Sequence, residues 1–478
     1  MEGYKVTELI KATSGRLIQG DQDRLINRVS IDSRNLAPGD LFFAIIGSRF
    51  DGHNFIGEAL NKGSVGAVIC KNIGNLLQKE ELNKDKIIIQ VKDTLSALQD
   101  WSKHYKNKFK IFNICITGSN GKTTTKEIIA HILSQKFSLL KTSCNYNNEI
   151  GIPLTLLQLN ALHQILVVEM GMRGLGEIKV LTNLVHPDLA VITNIGEAHI
   201  GLLGSRDNIF KAKSELLQSL NQDGIVILNR DDPYFLKTLE MVKGKKMITF
   251  GLENKSDIMA FNIRMISDRG MKFTLKIKDV EDREIFSPLL GRYNIYNALA
   301  ASATAFALGV EMDLIEKGLA SFKPLEMHMY LKNFYDDIKI LNDSYNASPL
   351  AVKKALETLV EVSQGNRNVA ILGDMLELGE KTNFYHQEIG REVAKLSINL
   401  LITVGEGGKI IAKSSKDEGM SENKIFSFEK SEKKKLVKEL LNLTRPGDFV
   451  LLKGSREMKM EEILEFWQKE YQKNNLTT

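Results

Sequence analysis

Cysteine is nearly absent from this chain. Its three cysteines in 478 residues, Cys70, Cys115 and Cys144, are too few and too far apart for a disulfide framework or a zinc site. They are expected to be reduced core residues. Long apolar runs are missing too: none reaches the ~20 residues that a membrane span needs, which excludes membrane insertion. The first residues, MEGYKVTELIKATSG, are polar and periodic, without the basic segment and apolar stretch of an export signal. A cytoplasmic location is the expectation. No sign of charge dominates either. The 64 basic and 59 acidic residues leave a net charge of +5, dispersed along the chain. That balance argues against nucleic acid as a partner and suits anionic small molecules. Neither a repeat of solenoid period nor a low-complexity segment occurs.

What is present is the composition of an ordinary globular protein, 43% hydrophobic and 26% charged, at a length that predicts roughly two to four domains. The chain turns on Ile111–Thr125, IFNICITGSNGKTTT. An apolar, β-branched run leads into Gly118, Ser119, Asn120, Gly121, Lys122, Thr123 and Thr124, and a helical pattern follows. A strand, a glycine-rich turn and a helix N-terminus form a phosphate-binding geometry. Lys122 supplies a point charge, and the Thr123 hydroxyl can ligate Mg²⁺. The spacing is G-x-x-G-K-T, shorter than the general phosphate-loop pattern because Ile116 stands where its first glycine would be.

Around this stretch the pattern is α/β, in three units. Residues 1–108 alternate short strands with helices at Tyr4–Ala12 and Phe55–Asn61, and end in a helix from Thr94 that turns basic. Residues 109–323 carry strand-length apolar runs at 164–170, 189–194 and 224–229, separated by helical patterns, which predicts a mainly parallel sheet. Between Met247 and Pro288 the rhythm breaks into an antiparallel excursion with hairpin-like turns at Asn254-Lys255 and Arg269-Gly270. A small-residue helix, Tyr293–Leu308, ends at Gly309. Residues 324–478 repeat the βα rhythm as a second doubly wound unit.

Several groups fall at predicted strand ends, where such folds place their chemistry. Glu169 closes one apolar strand beside a glycine, positioned to hold a metal facing the phosphate loop. His199 follows the next strand and can serve a metal or a phosphate, or be a satisfied structural histidine. Lys213 and Lys211 on the following helix read equally as solvated surface lysines. Asn145, Asn147 and Asn148 form an amide-rich loop that suits turns or a hydrogen-bonding substrate. Asp32, Ser33 and Arg34 read as a capped turn or a strand-end site. In the third unit, Asp343 in NDSYNASP and Asp374 in GDMLELG are expected at adjacent strand ends, as cap residues or cleft residues.

Taken together, the motifs resemble those of the Mur ligases of bacterial peptidoglycan synthesis. The resemblance rests on SIDSRNLAPGDLFFAIIG, DGH, TGSNGKTTT, NYNNEIGIPLTLL, EMGMRGLGEI, ITNIGEAHIGLLGS, LLGRYNIYNALAA, NDSYNASP and GDMLELG, and it spans nearly the whole chain. The shortened phosphate loop is this family's own form. The resemblance implies an N-terminal uridine-binding domain, a central P-loop domain binding ATP and Mg²⁺, and a C-terminal Rossmann-like domain. NDSYNASP and GDMLELG are similar to the branch that adds D-alanyl-D-alanine to UDP-N-acetylmuramoyl-tripeptide through an acyl phosphate; a DYAHTP-like or DNPR-type stretch is absent. A related ligase with another amino-acid acceptor, and a nucleotide-binding scaffold without catalysis, are the alternatives.

By motif, the resemblance gives Lys122 the β/γ-phosphates, and Thr123 with Glu169 one Mg²⁺. His199 would help hold a second. Lys213 matches a position that is carbamylated in several members, where the carbamate ligates metal. Asn294 and Asn297 are similar to adenine-side residues and Asp343 to a nucleotide contact. Ser33, Arg34 and Asn145 would address the uridine diphosphate end. Closure on ATP would bring Asp343 over the phosphate loop, and a monomer is expected. One departure stands out. Where relatives carry an Arg expected to touch ATP phosphate, this chain reads KPLEMHMYLKN, with His328 in its place and Lys332 as the other candidate.

Overall fold

The computed structural model describes residues 3–47, 49–72, 85–143 and 145–475; Cys144 lies outside them. Cys115 is a buried core residue and Cys70 is half-buried, both unpaired. Among the described residues no helix is long and apolar enough to cross a membrane.

The three α/β units are present, each built on its own main sheet. The first sheet runs in the order Arg16–Gln19, Ile87–Gln90, Gly66–Ile69, Asp40–Phe43, Arg28–Ser30, parallel except at the Arg16–Gln19 edge. The helix Thr94–Lys106 closes this unit, capped by the Asp93 carboxylate and anchored by the buried Trp101.

The middle sheet has nine strands, and Phe112–Thr117 sits inside it between Leu189–Ile192 and Ile165–Glu169. Five of its six residues are buried, as an apolar β-branched run covered on both faces must be. The register sets the site. Glu169 pairs with Ile116, and Ile192 with Thr117, so three strands deliver their following loops to one edge. The sheet continues in parallel through Ile225–Asn229, Lys246–Gly251 and Ile258–Met265. Met271–Ile277 and Arg283–Ser287 then close it as an antiparallel edge.

Of the two expected hairpin turns, Arg269-Gly270 is one: Ile266 N donates to Gly270 O (2.8 Å). Asn254-Lys255 is not. The strands on either side of it pair in parallel, because the Asp231 carboxylate gathers the amides of Leu252, Glu253 and Asn254 and turns the chain another way. The helix Arg292–Ala307 packs its small residues against Lys122–Leu133, and Gly309 follows its C-cap with φ +67°.

The third sheet runs Tyr330–Asn333, Lys339–Asn342, Phe449–Lys453, Asn368–Gly373, Leu400–Val404, Ile425–Phe428, parallel apart from its first strand. Phe449–Lys453 inserts between the strands that precede Asp343 and Asp374, so those two strand ends are not adjacent. Asp374 instead accepts Gly408 N (2.9 Å) at the start of the helix Glu406–Asp417. It is a cap residue.

Candidate active site

The phosphate loop is held from three sides before any ligand is considered. Gly118 (φ +150°) and Gly121 (φ +81°) occupy backbone conformations that favour glycine, and a Cβ at either would collide with Thr193 Oγ1 or Asn297 Oδ1. Ser119 N donates to Asn194 O (2.9 Å) and Asn120 N to Asn194 Oδ1 (3.0 Å). Thr193 Oγ1 donates to Asn120 O (2.7 Å), and Gly196 N to Ser119 Oγ (2.8 Å). The first helical bond of Lys122–Leu133 runs from Thr125 N to Gly121 O, which leaves the amides of Lys122, Thr123 and Thr124 turned to the cleft for an anion.

Two lysines meet under this loop. Lys122 Nζ donates to Gly118 O (2.8 Å), and the fully buried Lys213 Nζ donates to the same oxygen (2.9 Å). Lys211 is exposed, which separates the two candidates on that helix. Loss of hydration lowers the pKa of both ammonium groups, and the charge of Lys122 lowers that of Lys213 further. For Lys122, Glu169 works in the opposite sense.

Glu169 is buried at the neighbouring strand end. Its Oε1 accepts from Asn147 Nδ2 (2.8 Å), whereas Oε2 is sealed from solvent without a hydrogen-bond partner. The nearest cation, Lys126 Nζ at 3.9 Å, is occupied by Thr142 O and Glu127. A buried carboxylate oxygen with no donor is a costly arrangement unless something positive takes its place. Among the described residues no three His, Cys, Asp or Glu side chains converge as a ready-made metal cage. A hard cation completed by phosphate oxygens and water therefore fits this donor set, which is the habit of Mg²⁺.

A cleft of about 890 Å³ runs from the loop to the third unit. The whole stretch Ser119–Thr124 lines it, as do Asn145, Glu169, His199, Asn294, Asn297 and Asp343. Gly118 and Lys213 lie just beneath, joined by their hydrogen bond. Asn297 accepts from Thr125 Oγ1 (3.2 Å) and donates to Asn294 Oδ1 (2.8 Å), bracing the loop from behind. Ser33 and Arg34 are not cleft residues. Ser33 Oγ donates to Glu58 (3.0 Å), and the exposed Arg34 pairs with Asp32 (2.9 Å) in its own turn.

The third unit reaches across at several points. Ser348 Oγ donates to Asn120 Oδ1 of the loop (2.8 Å). Asp343 accepts from the buried Lys453 (2.5 Å) and from Met329 N (3.0 Å). His199 Nδ1 donates to Glu377 Oε2 (2.5 Å), and that bond holds the Glu377 carboxyl below its usual range against the opposing effect of burial. His328 lines the cleft with its ring stacked on Tyr345 (4.5 Å between centroids), Nδ1 donating to Glu326 O, and Nε2 buried without a partner. Lys332 lies on the edge strand, exposed and outside the cleft.

Sequence reasoning missed Asn194, Lys453 and Glu377. Asn194 shows only as one more loop amide, and Lys453 as the end of an apolar strand. Glu377 sits inside GDMLELG, a motif read there through Asp374.

Strand, glycine turn and helix at a parallel sheet edge, with a buried carboxylate alongside and a second α/β unit closing the cleft, define a phosphate-loop nucleotide enzyme. Sequence profiles place it more finely. Residues 25–106 match the Mur ligase family catalytic domain, 116–305 the Mur ligase middle domain, and 327–456 the Mur ligase glutamate ligase domain. The chain is 35% identical over 459 residues to the UDP-N-acetylmuramoyl-tripeptide–D-alanyl-D-alanine ligase of Bacillus subtilis, covering 96% of each. Its Escherichia coli counterpart is 33% identical, with 97% and 98% covered. Among solved structures, MurF from Acinetobacter baumannii superposes with a TM-score of 0.87 at 30% identity, covering 98% of this chain and 99% of that one. MurF from Thermotoga maritima in complex with ADP gives 0.81 at 28%, covering 94% and 98%. The chain belongs to the Mur ligase family.

Proposed function

We propose that this protein is an ATP-dependent amide ligase that adds D-alanyl-D-alanine to UDP-N-acetylmuramoyl-tripeptide in cytoplasmic peptidoglycan precursor synthesis. One observation carries the reading: the loop amides, Lys122 and the half-unpaired carboxylate of Glu169 face one cleft, closed from the other side by the third unit. The names borne by the relatives over nearly the full chain support the choice of substrates. Unit boundaries are placed near residues 108 and 323, and a monomer suffices because one chain supplies every group used.

A carboxylate resists nucleophiles because of its charge, so it must be activated. A terminal carboxylate oxygen of the tripeptide attacks the γ-phosphorus, the bond to the bridging oxygen breaks, and ADP leaves. The amine of D-Ala-D-Ala then attacks the acyl carbon; phosphate departs with its bonding electrons and the amine loses a proton. The chain's part is positioning and charge neutralisation. The loop amides and Lys122 orient the phosphates, and Asp343 with His328 approaches from the third unit. Thr123 and Glu169 would hold one Mg²⁺, and His199 with Lys213, once carbamylated, would hold a second; the ions would neutralise the phosphate charge. Asn294 and Asn297 serve the adenine side. Ser33, Arg34 and Asn145 are assigned to the uridine diphosphate end, where Ser33 and Arg34 would share or exchange their present partners Glu58 and Asp32.

The test is phosphate release with both substrates. Release only with the tripeptide and D-Ala-D-Ala together is the expected result. No release sinks the proposal, and release with a different amino acid redirects it to another acceptor.

Lys213 carries a separate expectation. The neutral amine is the form that adds CO₂, and burial beside Lys122 favours that form. Activity should fall in CO₂-depleted buffer and return with bicarbonate. A rate indifferent to both would remove the carbamate from the mechanism.

A further inference from the structure

We infer that Glu377 of the third unit is a positioning residue for His199 of the middle unit. It fixes the imidazole in the tautomer whose Nε2 is left as an acceptor, and it does so only when the two units are closed. The inference rests on the proposed reaction for its purpose but on geometry for its content.

His199 and Glu377 are 178 positions apart in sequence and belong to different sheets, yet Nδ1 and Oε2 lie 2.5 Å apart. A carboxylate has no proton to give, so Nδ1 must carry the hydrogen, and the lone pair of a neutral ring is then at Nε2. In water the opposite tautomer is commoner, so the partner makes the choice. Fixing a ring through its second nitrogen is how histidines that meet cations are generally oriented.

The contact is built on both sides rather than incidental. Glu377 (φ +61°) and His199 (φ +68°) both hold the left-handed backbone region, uncommon for residues that are not glycine. Such outliers persist where surrounding contacts over-determine them. Gly201 N donates to Glu377 O (2.8 Å), and Arg173 Nε lies 3.4 Å from Glu377 Oε1, so one residue is gripped by backbone, imidazole and guanidinium together. All three partners belong to the middle unit. A residue serving only its own unit would not place its carbonyl and both carboxylate oxygens on another.

The test compares Glu377→Ala with Glu377→Gln, whose amide oxygen can still accept from Nδ1. The ring nitrogens are read by long-range ¹H–¹⁵N spectra with a nonhydrolysable ATP analogue and no tripeptide, with His199→Asn assigning the signals. Wild type should show His199 protonated at Nδ1 and bare at Nε2, Glu377→Gln should keep that form, and Glu377→Ala should shift toward Nε2–H; a wild-type ring protonated on both nitrogens overturns the inference. In turnover, Glu377→Ala should lose 10- to 100-fold in kcat, with KM for both substrates within about twofold, and Glu377→Gln should recover most of the rate. An unchanged tautomer in Glu377→Ala overturns the inference. So does a Glu377→Gln variant as impaired as alanine, or a rate loss that follows the melting temperature in both. Failure of the wild type to release phosphate would count against the proposed reaction alone, because the tautomer is read without it.

Discussion

Lys122→Ala is expected to reduce phosphate release on the order of a thousandfold, about 4 kcal/mol of transition-state stabilisation. The other cations of the described cleft are committed elsewhere: Arg173 to Glu377, Arg206 to Glu197 and Lys354 to Glu357. Lys213 shares its carbonyl partner but is buried beneath the loop, and Lys453 is committed to Asp343. Stability should not fall with activity. The loop is tied down through Ser119, Asn120 and Thr193, none of which depends on the Lys122 side chain. Removing the ammonium also relieves Lys213 of a neighbouring like charge. Lys122→Arg should be nearly as inactive, since a planar fork does not fit where a compact ammonium reaches two carbonyls, Gly118 O (2.8 Å) and Ser119 O (3.3 Å). Isothermal titration with ADP should show weakened binding in both variants at unchanged melting temperature. A melting temperature that collapses in Lys122→Ala would make the residue structural, and an active variant would remove it from the reaction.

How much of this was legible beforehand depended on whether the signal was local. The phosphate loop and the long buried strands were readable because apolar runs and glycines at fixed spacing state their own geometry. Leu139–Lys141 and Tyr330–Asn333 were missed because short, half-exposed edge strands carry no such pattern. Strand order assumed from sequence sets Asp343 and Asp374 side by side, and the insertion of Phe449–Lys453 between their strands is a long-range pairing that no local pattern encodes. Glu377 fails for the same reason: its meaning comes from His199, in another unit. At Arg34 the turn geometry was local enough to read, since Asp32 takes the guanidinium two residues away, whereas the Ser33 bond to Glu58 joins two elements and shows in no local pattern. Lys213 reverses a sensible expectation. Composition makes any helical lysine a surface residue, and only the fold shows Lys213 turned inward against Gly118.

Gly201→Ala should separate closure from nucleotide binding. Gly201 lies in the short helix Ile200–Leu203 and needs no positive φ, so alanine is acceptable to its own backbone. The obstacle is across the interface. A Cβ there would stand 2.6 Å from Leu378 C and 2.7 Å from Glu377 O, and would intrude on Gly379 N. Main chain cannot swing aside as a flexible side chain can, so the third unit must draw back, losing the Gly201–Glu377 bond and shifting Asp343 and Ser348 away from the loop. A misplacement of about 1 Å between reacting groups can cost on the order of a hundredfold in rate, and that is the expected loss. ADP affinity should fall far less than the rate, because the loop, Lys122 and Glu169 all belong to the middle unit and Asp343 is the nucleotide contact that moves, the reverse of Lys122→Ala. Small-angle scattering should report a larger radius of gyration than wild type. Gly57→Ala, at a helical glycine with nothing within 4 Å of an added Cβ, is the control and should leave rate and radius unchanged. A Gly201→Ala enzyme at the wild-type rate would mean that the third unit does its work from another position than the one bonded to His199, Gly201 and Asn120.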